Sequence, residues 1–157
     1  MTALDHVDLA LLDALADDPR ATVVALADRL SLSRNTVQAR MSKLDRAGVF
    51  LSYERAIAPH ALGYPIEALL EVVVRQPDLP QITQHLADIP EVIQAHGVSG
   101  QVDLVVRVAA RDTQHLFDID ARILGIDGVE RTETSLVMDE VIGFRVRPLM
   151  ALAGQQG

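Results

Sequence analysis

Between Thr22 and Gly48 the chain carries signals for two short helices, a three-residue turn and a stop, in an order that leaves few folds open. Val23, Leu26, Ala27 and Leu30 supply the buried side of one helix, with Thr22 placed to cap its start. Ser31-Leu32-Ser33 is the turn, with Leu32 tucked inward. Ser33 caps the next helix, because its hydroxyl accepts an exposed backbone N–H. That helix has Val37, Met41 and Leu44 at i, i+4 and i+7 as its core stripe, and Gly48 closes it. Upstream, Leu4, Val7, Leu11, Leu12 and Leu15 share one face of a first helix over 5–17, which Asp17-Asp18-Pro19 ends. The three together read as a helix-turn-helix.

Charge points to its partner. From 29 to 46 the basic residues are Arg29, Arg34, Arg40, Lys43 and Arg46 and the one acid is Asp45, so five positives and one negative leave +4 in a chain of net charge −8. A basic island in an acidic protein fits a polyphosphate backbone, and double-stranded DNA is the expected partner. The third helix is the one that enters a major groove. Opposite its core stripe it presents Arg34, Asn35, Thr36 and Gln38 just after Ser33, and Arg suits guanine while Asn or Gln suits adenine. Arg40, Lys43 and Arg46 lie further along and are expected to hold phosphates. The charges alone would also suit a solvated surface helix. The helix, turn, capped polar helix and stop arriving together favour DNA.

The rest of the chain is of another kind. Residues 1–55 hold seven basic and eight acidic side chains, and residues 56–157 hold seven and fourteen, so the net charge shifts from −1 to −7. Val49–Ile57 is β-prone and reads as a small wing or connector strand. Pro59, Gly63 and Pro65 then mark a boundary. Beyond it the pattern predicts strands over 66–75, 92–98, 104–109 and 129–142, with helices over 77–88 and 113–124 and a loose tail from Gly154. The order βαββαβ is a ferredoxin-like plan on a four-stranded antiparallel sheet. The fold class is therefore α+β, a winged helix-turn-helix over 1–58, a linker over 59–65 and a ferredoxin-like domain over 66–157.

Several chemistries are excluded or unsupported. The chain has no Cys, hence no disulfide framework, thiolate metal site or Cys nucleophile. The five His residues are too scattered for metal-binding pairs at i, i+3 or i+4. Asp118 and Asp120 face different sides of a helix. No catalytic set, metal or cofactor is expected. Asp5, Asp8 and Asp13 interrupt the first apolar stretch, no run approaches membrane length, and a soluble cytoplasmic protein is expected.

At this point the chain resembles the leucine-responsive regulatory protein/AsnC, or feast/famine, transcription regulators. The matching residues are Leu4-Asp5, Asp8, Arg20-Ala21-Thr22, Leu26-Ala27, Leu32-Ser33, Val37, Arg40, Leu44 and Ala47-Gly48-Val49. In the second half they are Pro90-Glu91-Val92, Val98-Ser99-Gly100, Asp103, Gly128-Val129, Thr132, Thr134 and Ser135. The resemblance implies a transcriptional regulator, not an enzyme, whose activity a small effector of the amino-acid class modulates. It implies a pocket between subunits near Gly100-Gln101-Val102-Asp103. His96 and Ser99 flank that loop, backbone N–H groups at Gly100 approach a carboxylate, Asp103 meets an ammonium, and Thr134 and Ser135 add hydroxyls. By its residues alone, Gly-x-x-Asp between strands is also a plain turn whose Asp holds its own backbone. Gln101 and Val102 depart from the family, which commonly has an acidic or polar residue and then an aromatic one. The resemblance implies a homo-oligomer, a dimer and beyond it an octamer, with sheets paired back to back. A siroheme-decarboxylase-like enzyme is the alternative on the same plan. Its His- and aromatic-rich strand motifs are missing from Ser99–Val106.

Overall fold

The computed structural model describes residues 4–51 and 57–155. Three helices open the chain, α1 (His6–Asp17), α2 (Val23–Leu30) and α3 (Arg34–Arg46). Each begins at a side-chain cap. Asp5 accepts from the N–H groups of Val7 and Asp8, and Asp8 accepts in return from the Asp5 N–H, a reciprocal capping box. Thr22 accepts from the Ala25 N–H and Ser33 from the Thr36 N–H, the two caps expected. Ser31 leaves α2 with φ 55°, the left-handed conformation that bends the chain tightly into α3. Leu11, Ala14, Leu26, Ala27, Val37 and Leu44 close over one another as the core of this unit.

The later elements are β1 (Ile66–Val74), α4 (Leu79–Ala87), β2 (Val92–Gly97), β3 (Leu104–Ala110), α5 (Thr113–Leu124) and β4 (Val129–Leu136). The strands form one antiparallel sheet in the order β2-β3-β1-β4. Leu70, Val72, Val106 and Val108 point to one face, where Ile82 and Leu86 of α4 and Ile119 and Ile123 of α5 cover them. The alternate residues Leu69, Val73 and Val105 point the other way and stay partly exposed. On that second face Arg107 pairs with Glu67 at 2.6 Å.

Four expectations change. The wing predicted over 49–57 falls largely outside the described residues, and Val49, Phe50, Leu51 and Ile57 are not in a strand. β4 ends at Leu136, six residues short of the alternating pattern, because its partner β1 begins at Ile66, just after Pro65. The last ladder bond runs from the Val137 N–H to the Glu67 carbonyl. An unpredicted helix, α6 (Arg147–Ala153), follows. The division of the chain changes with it. One compact unit joins the three N-terminal helices to residues 142–155, and the other runs from 57 to 141. Arg147 of α6 binds Asp13 at 2.8 Å and Asp17 at 2.5 Å, both on α1. No helix among the described residues is long and apolar enough to cross a membrane.

Candidate functional site

The capped start of α3 positions the predicted DNA-reading residues. Ser33 and Thr36 are taken up by the cap itself, since the Thr36 N–H donates to Ser33 Oγ at 3.0 Å and the two hydroxyls lie 2.8 Å apart. Arg34, Asn35 and Gln38 are exposed around that cap. Among the described residues Arg34 has no acidic partner within ion-pair reach, so its guanidinium fork is available to an outside acceptor.

Arg40 and Lys43 are placed differently. They face α1, where Asp8 is fully buried. Arg40 Nη1 donates to Asp8 at 2.9 Å and also to Asp5, and Lys43 Nζ donates to Asp8 at 2.6 Å. The Arg40 guanidinium holds the Asp5 carboxyl at about 2, below its ordinary 3.8. Burial pushes the Asp8 carboxyl up, but hydrogen bonds from Lys43 and Arg40 outweigh it and leave its pKa lowered. Sequence reasoning missed both acids as parts of this site. The signal was there in Asp5 and Asp8, three apart at the capped start of α1, matched by Arg40 and Lys43, three apart on α3.

The second predicted cluster is not gathered within one chain. Gly100 has φ 134°, which an L side chain rarely adopts, and Ser99, Gly100 and Gln101 are exposed while Val102 is half-buried. Asp103 already has partners. It accepts from the Val74 N–H at 2.8 Å and from Gln76 Nε2 at 2.5 Å, tying the loop to the end of β1. His96 is exposed on β2, opposite Val105 of β3. Thr134 and Ser135 lie on β4, with β1 between them and β3. Thr134 donates to Asp120 of α5 at 3.0 Å on the helix-covered face, and alternation turns Ser135 to the opposite face.

Residues 67–146 match the family model described as the Lrp/AsnC ligand binding domain, and residues 4–50 match a winged helix-turn-helix DNA-binding model. The chain belongs to the Lrp/AsnC family. A helix-turn-helix-type transcriptional regulator of Mycobacterium tuberculosis is 32% identical over 143 residues, covering 90% of this chain and 97% of that one. The structure of AsnC from E. coli superposes with a TM-score of 0.84 at 25% identity, over 94% of this chain and 100% of that one. A Neisseria meningitidis regulator solved as its complex with L-Met shares the fold, with a TM-score of 0.80 at 24% identity over 93% and 99% of the two chains. The Lrp/AsnC match accounts for the pairing of a helix-turn-helix with a ferredoxin-like sheet. Its relatives are named as regulators of transcription.

Proposed function

We propose that this Lrp/AsnC chain is a cytoplasmic, sequence-specific regulator of transcription that acts as a homo-oligomer, and that an amino acid or similar zwitterion adjusts its grip on DNA. The observation that carries the DNA reading is the exposed trio Arg34, Asn35 and Gln38 around the start of α3. Ser33 and Thr36 set the helix start from which they project. In this reading residues 4–51 with 142–155 engage DNA, and residues 57–141 bind effector and hold the assembly together. One α3 touches too few bases for useful specificity, so two copies read two half-sites. The partly exposed Leu69, Val73 and Val105 face supports sheets paired back to back.

The effector reading rests on the ligand-binding family model and on the Gly100 loop, with His96, Ser99, Gln101, Val102, Asp103, Thr134 and Ser135 contributed across a subunit boundary. Asp103 receives an ammonium in this reading only while keeping its bond to the Val74 N–H. The reading assigns no catalysis. Selection of duplexes from a randomised pool, repeated with each common amino acid and with L-Met first, tests it. Enrichment of a sequence with two related half-sites is expected, with a shift in affinity of about 5–150-fold for one ligand class. Failure to enrich any sequence would overturn the DNA reading, and affinity unmoved by every amino acid would overturn the effector reading.

A further inference from the structure

We infer that Asp8 is the positioning residue of the DNA-reading helix, acting through Arg40 and Lys43, and that these two cations serve the protein's own geometry instead of DNA phosphates. The inference rests on the DNA reading proposed above. Asp8 is the one fully buried charged side chain among the described residues. A carboxylate in such a place is stable only when its hydrogen-bonding capacity is filled. Arg40, Lys43 and the Asp5 N–H fill it, at 2.9, 2.6 and 3.2 Å.

The arrangement does what apolar packing cannot. Leu11, Val37 and Leu44 hold the helices together, but apolar contact is non-directional and tolerates small rotations of one helix on another. Charge-assisted hydrogen bonds are short and directional. Two donors one turn apart on α3, meeting Asp8 of α1 and its cap residue Asp5, fix both the rotation of α3 and its slide along α1. Gln38 lies two residues before Arg40, and Arg34 about one turn further back. The bearing of both toward base edges therefore follows from that grip. Paired contacts to a base need a fixed bearing. A cation engaged with a buried acid is also less available to a phosphate, which would leave Arg34, Arg46 and Arg20 as the basic groups of this region without an acidic partner among the described residues.

The test uses the full chain, the duplex that the wild type selects from a randomised pool, and a random duplex of equal length, at a temperature where every variant is folded. Asp8→Asn should lower the ratio of selected to random affinity by about tenfold or more, the size of one lost base contact. Leu11→Ala, buried in the same helix, should lower thermal stability and leave that ratio unchanged. Lys43→Met should lower the ratio while the salt dependence of random-duplex binding stays as in the wild type. A phosphate contact would instead cut that slope by about 0.9. Asp8→Asn with an unchanged ratio, Leu11→Ala with the same loss of ratio, or Lys43→Met with a reduced slope would each overturn the inference. Should Asp8→Asn fail to fold, the Lys43→Met slope and ratio decide. A wild type that selects no sequence would instead overturn the DNA reading on which the inference stands.

Discussion

Arg147 and Asp13 are joined at 2.8 Å across 134 positions of the chain. The same guanidinium holds Asp17, which also accepts from Arg29 of α2 at 2.5 Å, so α6, α1 and α2 are laced together. Exposed ion pairs of this kind contribute little each. Leu9 and Ala10 of α1 and Met150 and Ala151 of α6 line a shallow groove between the two helices beside these ion pairs. Ending the chain after Val141 should lower the melting temperature of the helical unit by about 4–8 °C, the shift that roughly 1 kcal/mol produces in a unit of this size. Arg147→Ala should lower it less. Thermal unfolding followed by circular dichroism measures both, and an unchanged melt on truncation would show that α6 adds nothing.

Acid should loosen the same unit. Asp5 titrates at about 2 in the folded chain against 3.8 ordinarily, and Asp8 and Asp17 are lowered too. Because the folded value is the lower one, the unfolded chain binds protons first as the pH falls. The stabilisation is therefore complete above pH 3.8 and is lost as the pH drops toward 2. Melts taken across that range should fall steeply for the wild type and less steeply for Asp5→Asn. Parallel curves would remove Asp5 from the account.

Arg34→Ala should cost on the order of 1–3 kcal/mol at the selected duplex and relax preference at one base position. Binding to random duplex should change far less. Competition titrations read both. Equal losses on the two duplexes would make Arg34 a phosphate contact.

Gly128, between α5 and β4, has φ 93°, and a Cβ there would lie 2.7 Å from Asp78 Cβ and 3.0 Å from Ile82 Cδ1. Gly128→Ala should destabilise the sheet unit by at least about 1–3 kcal/mol from backbone strain alone. The urea midpoint measures it, and a midpoint equal to that of the wild type would show that the turn has another conformation available.

What was legible in the sequence was what neighbours in the chain decide. Thr22 and Ser33 as caps, Gly48 as a stop and the bounds of α5 are local chemistry, and the structure has them where the pattern puts them. The order of strands and helices followed from a change of period, which is local as well. Long-range pairings were not legible. Asp8 counts as a polar residue on any helical pattern, and only Arg40 and Lys43, 32 and 35 positions on, make it a core residue. β4 stops because β1 does, not because its own alternation fails. α6 has seven residues and no side-chain cap, too short a run to announce itself. For Asp103 the motif leaves a backbone-holding turn and a ligand contact both open, and local spacing does not name its partners. Its bonds to Val74 and Gln76 depend on the end of a strand 29 residues earlier.

The register of β1 with β4 bears on how this protein can be recombined. Ala68 lies opposite Leu136, so the sheet takes in the chain at one strand and gives it back at the strand beside it. Residues 57–141 thus amount to an insert spliced into the helical unit. A chimera that exchanges only the first 58 residues with a relative would graft three foreign helices onto a native α6, leaving Arg147 to find acids that the donor need not supply. An exchange that moves both flanking segments, or the insert alone, keeps each body with its own side chains.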